Sequence, residues 1–522
     1  MAAEDRCWPP RGHPTGNIDG TDRALVACRG PPKVNRMRNL LRFLPLLGLV
    51  ATAGLSQNAQ AAEVTRVASS FEDDNPFDIH FGVAYDYNFK RAAILREWNA
   101  GPGDDSNRLV KDLLYRQQRH TLYPTMEIGL WHDLAVYVTL PVILSDTRDY
   151  SFDQRPDDCV FGDQAAANCV NKENSTTIRD QIIPDSGFDA TNSANPFGQF
   201  TGSTTELIFR GPVRRGLDQL HVGLKYGILS QRTRSHMPSW LIGLEGRFAV
   251  GRAMTFSRDI VNSSPQGNSR VGRRVHELGA WTALSRRYRF LDPFFTAYWR
   301  QSVVAAGSQF QNFSSLGAQG DVLPQSTAGM TFGTEIVPWE RKAKSMKVAL
   351  YLSGSAVLHY GGRGYSEIWE LLADSPSLVG SNDPTQSDQC DRNAALDFAA
   401  QNPGDSGYIA AGGSSCSAFS GVTDLQDYGT FGFDSGLNLH LGKYARINLG
   451  AKFSTDTRHF VTFANRGDAS ASSGAGTDPQ RVDEGTVEVN PLRRDVVDNV
   501  GRRFVVDDVT DLHGYIRVLL TF

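Results

Sequence analysis

The chain has 522 residues, a formal net charge of −4 and six cysteines. Without a dense Lys/Arg block it offers no electrostatic footprint for nucleic acid. A mean hydropathy of −0.33 excludes a polytopic helical membrane protein but not a β-barrel, whose alternating strands dilute the apolar signal.

Residues 1–36 show no periodicity. From Met37 the pattern changes: Arg38 and Arg42 form a basic start, Phe43 to Leu55 is apolar, and Ala59-Gln-Ala supplies a small-x-small cleavage site. This predicts a secretory signal peptide over 37–61, cut after Ala61, with Met37 as the start and 1–36 as a mis-called extension. Residues 62–76 follow as a short periplasmic lead containing Glu72-Asp-Asp.

From 77 onward the chain reads as strands of period two. Phe77, Ile79, Phe81, Val83, Tyr85 and Tyr87 share one face, with Asp78, His80 and Asp86 on the other. Leu122, Met126, Ile128 and Leu130 oppose Arg119, Tyr123 and Glu127; a turn at Trp131-His-Asp then leads into Leu134, Val136, Val138 and Leu140. The same pattern recurs around Leu220–Tyr226, Trp240–Phe248, Leu278–Leu284, Phe295–Trp299, Met330–Ile336, Val348–Leu358, Phe431–Leu439 and Ile447–Phe453. The last strand, His513 to Phe522, sets Gly514, Ile516, Val518, Leu520 and Phe522 against Tyr515, Arg517 and Thr521. The count is twelve. Short connections near 131, 235, 289, 341 and 443 alternate with long ones, the longest at about 145–215, 362–427 and 457–509. An even count with alternating short turns and long loops predicts an all-β, antiparallel up-and-down transmembrane barrel.

The faces that are not apolar carry charges in mid-strand, which a dry sandwich could not bury and a wet lumen can. The lumen-lining candidates are Arg119, Glu127, Lys225, Glu245, Arg247, Glu277, Arg300, Glu335, Asp434, Arg446, Lys452 and Arg517, with the aromatic rings of Trp281 and Tyr298. Either they line a permeation path or they form a mutual ion-pair network that stiffens the barrel. Their near-equal signs argue against a strongly ion-selective pore. The inward aromatics could stack on a solute or simply fill volume. Tyr85, Tyr87, Trp131, Trp240, Trp299, Trp339 and Tyr444 are expected in interfacial girdles. Cys159 with Cys169, and Cys390 with Cys416, fall in Gly/Asp/Asn-rich stretches without metal-ligand spacing and are read as loop disulfides of an oxidising compartment.

No catalytic, cofactor-binding or metal-binding set emerges, and no cofactor is expected. Gly404-Asp-Ser-Gly echoes a protease nucleophile, but Asp-Ser-Gly recurs at Asp185 and Asp434, so the tripeptide is cheap here. A barrel hydrolase would need a rim Ser/His pair that the sequence does not offer.

Tyr123-Pro-Thr-Met-Glu-Ile-Gly-Leu-Trp-His-Asp-Leu-Ala-Val-Tyr-Val-Thr-Leu-Pro resembles the "Gly-Leu-turn-Asp … Leu-Pro" hairpin of outer-membrane transporters associated with the meta-pathway of phenol degradation. Gly216-Leu-Asp-Gln-Leu-His-Val-Gly-Leu-Lys-Tyr-Gly-Ile-Leu is similar to their following strand. The resemblance spans roughly 120–300. It departs in the long loops with paired cysteines and in the Arg/Asp-rich first loop. It implies passive uptake of small, often aromatic or apolar, compounds. The expected partners are outer-membrane lipid and lipopolysaccharide, a small-molecule solute, and the barrel-assembly machinery reading the strand that ends at Phe522. The competing expectation is a structural or surface barrel without an open pore.

Overall fold

The computed structural model describes residues 62–71, 76–98, 108–153, 170–192, 194–197, 207–231, 234, 236–258, 268–311, 323–381, 416–464 and 492–522. The expected extension and signal peptide lie outside these residues, as do Cys159, Cys169, Cys390 and the Gly404 motif; Cys416 is described in its backbone alone.

Twelve strands run in chain order. They are β1 (Ile79–Trp98), β2 (Arg108–Trp131), β3 (Leu134–Thr139 continued by Val142–Phe152), β4 (Arg214–Leu217 continued by Gln219–Leu229), β5 (Ser239–Ala249) and β6 (Val275–Ser285). They continue as β7 (Leu291–Val304), β8 (Ser326–Arg341), β9 (Met346–Tyr360), β10 (Tyr428–Leu441), β11 (Ala445–Asp456) and β12 (Phe504–Thr521). Each pairs antiparallel with the next, and β12 returns to β1 with His80 opposite Thr521 and Lys90 opposite Asp511. The sheet therefore closes and leaves no open edge. Phe522 ends the seam: its N–H donates to Ile79 O at 2.9 Å, and its ring meets Phe81 edge-on at 6.2 Å. Pro141 has no N–H to give the ladder, so β3 breaks there, while Leu140 N–H still reaches Pro124 O at 3.1 Å.

Alternation sorts the two faces. Leu244, Phe332 and Phe431 are 63%, 57% and 54% exposed on the outside, whereas inward Glu127, Glu335 and Lys347 are 5%, 1% and 2% exposed. An apolar exterior around a polar interior is the pattern of a barrel set in a bilayer. Among the described residues no helix is long and apolar enough to cross a membrane.

β1 and β2, at 20 and 24 residues, exceed the roughly 9–11 residues that a tilted crossing strand needs. Their surplus lies at the loop end and wraps a second layer of structure. That layer includes α1 (Thr176–Arg179), α2 (Trp369–Leu372) and α3 (Asp495–Asp498). It forms a dome with its own apolar core, in which Phe188 stacks on Phe209 at 5.0 Å and meets Phe256 edge-on at 5.8 Å, beside a fully buried Trp369. The expected loops are thus shorter than their sequence intervals: β3 runs on to Phe152, β4 begins at Arg214 and β12 begins at Phe504. The strand ends were hidden because Ala92 to Leu95 and Asp112 to Tyr115 are buried on both faces by the dome, which erases the period-two signal.

Candidate functional site: the lumen

The turn end of the lumen is filled by the chain itself. Ala62–Ser70, expected as a periplasmic lead, packs inside the barrel mouth, with Ala62, Ala68 and Ser70 fully buried. Its backbone needs partners once it leaves water, and the wall supplies them. Glu63 N–H donates to Glu335 Oε1 at 2.9 Å and Ala68 N–H to Glu127 Oε1 at 2.7 Å. Lys225 Nζ donates to Arg66 O at 2.9 Å, and Ser70 Oγ donates to Gly129 O at 2.8 Å. The side chains are tied as well: Arg446 to Glu63 at 2.9 Å, Arg66 to Glu63 at 2.7 Å and Lys225 to Glu127 at 2.7 Å. Gly129 is required for this fit, since a Cβ there would stand 2.7 Å from Ser70 Oγ and 3.0 Å from Ser70 N. Among the described residues Ala62–Phe71 has no strand partner; polar contacts with the wall hold it.

At the other end the dome reaches into the mouth. Lys90, inward on β1, pairs with Glu367 at 2.8 Å and Asp456 at 3.2 Å. Tyr150 OH donates to Glu367 O at 2.6 Å. Arg214 donates to Glu370 Oε1 at 2.6 Å, both fully buried, and its guanidinium lies 4.8 Å from the Trp369 ring. In α3, Asp498 accepts the N–H groups of Arg494 and Ala464, yet burial pushes its carboxyl up to about 7. Burial likewise lowers neighbouring Arg494 to about 10.

The wall between floor and dome holds three groups of the expected residues. Glu245 accepts from Tyr137 OH and Arg247 Nε, both at 2.7 Å; Arg247 also reaches Glu277 at 3.4 Å, and Arg300 approaches Glu245 at 3.6 Å. Higher up, Asp146 takes Arg119 at 2.7 Å, Arg148 at 3.2 Å and Gln117 at 2.6 Å. Across the lumen, Asp434 accepts Tyr515 OH at 2.8 Å and Tyr351 OH at 3.2 Å, while Lys452 stands opposite it on β11. Glu335 sits at the floor with Lys347 at 3.2 Å and Asn438 at 3.2 Å. The expected residues therefore do not converge on one point. They form separate networks at different depths.

The inward aromatics lie against the wall. Tyr137, Trp281, Tyr298, Tyr351 and Tyr515 are each directly opposite a glycine on an adjacent strand: Gly223, Gly243, Gly329, Gly436 and Gly450. A Cβ at Gly223 or Gly243 would stand 2.2 Å from the opposing ring, so each ring occupies the space that a side chain would take. This lets large rings line a narrow barrel without filling it. Trp281 and Tyr298, expected as stacking surfaces, lie against Gly243 and Gly329, and the Arg300 guanidinium stands 4.1 Å from the centre of the Tyr298 ring.

Between these walls lies a cavity of about 480 Å3. Glu63, Arg66, Glu335 and Arg446 line its floor, with Phe294, Tyr123, Tyr351, Asp434, Tyr515 and Arg517 around it. Sequence reasoning missed the lead residues Glu63 and Arg66 because docking inside a barrel leaves no local pattern. It also placed Asp146 in a loop: the strand bulges at Leu144, so the inward parity switches from Tyr137 and Ile143 to Asp146, Arg148 and Tyr150 and the alternation is broken in the sequence. Among the described residues no group of three or more His, Cys, Asp or Glu is placed to hold a metal ion.

No protein-family model and no curated protein matches the chain. Among solved structures it is similar to an outer-membrane channel of Pseudomonas putida F1, at 8% identity and a TM-score of 0.35, covering 86% of this chain and 96% of the other. It is also similar to a Pseudomonas aeruginosa FadL homologue, at 6% identity and TM-score 0.29 over 85% and 90% of the two chains. A third is the CymD monoaromatic hydrocarbon channel, at 8% identity and TM-score 0.28 over 88% and 90%.

Proposed function

We propose that the chain is a bacterial outer-membrane channel for passive uptake of small solutes, apolar or aromatic compounds among them, and that this conformation is its closed state. One observation carries the reading. The cavity of about 480 Å3 is walled off at the turn end by a short segment of the chain's own N-terminal side, held by polar contacts and not by strand pairing. Such a segment can leave without breaking the barrel. The lipid-facing apolar band supports residence in the outer membrane, with lipid and lipopolysaccharide as surroundings. The β12 strand ending at Phe522 is the segment that assembly machinery would read. The reading needs no cofactor and no catalytic residue.

Uptake into liposomes carrying the folded chain from Ala62 is compared with uptake through a chain that begins at Phe71. Phenol and a sugar of similar size serve as solutes, and heat-modifiability reports folding. The channel reading expects faster uptake through the shortened chain, and of phenol ahead of the sugar. No flux through either folded chain would sink it.

A second reading is a structural or surface barrel. It is favoured by the mutual pairing of Glu245, Arg247 and Glu277 and by the cover at both ends. That reading expects no flux even when the lead is removed.

A further inference from the structure

The three acidic and three basic side chains that line the cavity balance in number, but they are not all paired. At the floor, Glu63 is met by Arg446 and Arg66, and Glu335 by Lys347. On the wall, Asp434 receives the hydroxyls of both Tyr351 and Tyr515. Arg517 has no such partner. It is an exposed residue on the inward face of β12, it lines the cavity, and its guanidinium lies 4.3 Å from the centre of the Tyr515 ring. Among the described residues it makes no hydrogen bond and no ion pair. Lys452, further along the same wall on β11, also has no ion pair among the described residues; its cross-strand neighbours are Asp434 and His513, and His513 is already held between Asp86 and Asp511 at 3.2 and 3.3 Å.

An arginine whose five N–H donors meet no acceptor, in a partly enclosed space, is a recognition group awaiting an anion. Stacking on Tyr515 steadies the planar fork without using its donors. The rest of the cavity offers Phe294, Tyr123 and Val64 as apolar surface, and its volume lies in the roughly 300–1,000 Å3 range of small-molecule sites. We infer that the cavity is a binding site for a small organic anion, a carboxylate on an apolar or aromatic body, with the Arg517 guanidinium taking the carboxylate. Asp434 lies near enough to feel the Arg517 charge but makes no ion pair with it; its hydrogen bonds go to the two phenol hydroxyls. It thereby holds the Tyr515 ring beneath the guanidinium. The solute class thereby narrows from neutral apolar compounds to their acids. The use of the site in uptake rests on the channel reading; binding does not.

Binding of benzoate, benzyl alcohol and benzylamine to the folded chain from Ala62 is measured by saturation-transfer NMR. Benzoate is expected to bind most tightly and benzylamine least. Arg517→Met, which keeps the length and removes the charge, is expected to lose about tenfold in benzoate affinity while leaving benzyl alcohol unchanged. Arg517→Lys should recover part of the loss and serves if Arg517→Met does not fold. Equal binding of benzoate and benzyl alcohol, no benzoate binding, or unchanged benzoate binding in both variants overturns the inference. Benzoate that binds but does not cross liposomes, even without the lead, upholds the site and sinks the channel reading instead.

Discussion

The two covers of the lumen are built on opposite principles. The dome at the loop end is an apolar core: Trp369, Phe188, Phe209 and Phe256 are buried, and its charged pair Arg214–Glu370 is sealed inside. The cover at the turn end is a thin strap whose contacts are hydrogen bonds and ion pairs centred on Glu127 and Glu63. Apolar burial is insensitive to salt and spread over many atoms. A polar strap concentrates its attachment in a few groups that water and ions can replace. On the channel reading, the difference assigns opening to the turn end and the fixed cover to the dome.

That contrast can be broken from either end. The largest effect is expected from Trp369→Ala, which empties the dome core and removes the ring beneath Arg214. Cavity formation of this kind costs about 3–5 kcal/mol, read as a fall in the loops' protease resistance while the barrel stays heat-modifiable. Glu127→Gln comes next. It leaves Arg66 and Lys225 facing each other without their shared carboxylate, and breaking a buried pair costs about 3 kcal/mol. Faster hydrogen exchange at Ala68 N–H, with the dome amides unchanged, is the expected readout; coincident loosening of both ends would refute their independence. A smaller effect concerns pH. The Asp498 carboxyl is raised by burial from 3.8 to about 7, so the folded dome holds this proton more tightly than the unfolded chain. Its stabilising share is therefore full below the unfolded value and is lost as pH rises through about 7. Asp498→Asn should flatten that part of the pH profile of thermal unfolding. Smallest is the response to salt: added electrolyte should hasten exchange along Ala62–Ser70 and leave 494–498 untouched.

The barrel was readable in the chain because a membrane-facing wall obeys a rule of period two, visible within a few residues. Phe431, Phe433 and Leu437 against Asp434 need no distant information. The covers were not readable for the same reason. Glu63 meets Arg446 across 383 residues, and Arg214 meets Glu370 across 156; neither contact leaves a local trace. Strand lengths failed where two layers meet, since Ala92, Ala93, Ile94 and Leu95 are apolar on both faces and read as the end of the alternation. The charged lumen residues were found by parity. Their grouping was not, because it depends on register between strands. Arg517 stood in the sequence as one charge among many, and only the register between strands shows that it makes no direct hydrogen bond or ion pair among the described residues.

The aromatic rings laid over glycines bear on how such a wall finds its alignment during assembly. A slip of one residue between strands turns the apolar face inward and is rejected at once. A slip of two keeps every face correct, and alternation cannot detect it. Tyr515 over Gly450 and Trp281 over Gly243 can, because a shift of two sets each ring against a residue that has a side chain. On β11 the neighbours of Gly450 on the same face are Asn448 and Lys452, and on β5 those of Gly243 are Leu241 and Glu245. The glycines thus act as keyholes for register, a proofreading device repeated at five seams around the cylinder.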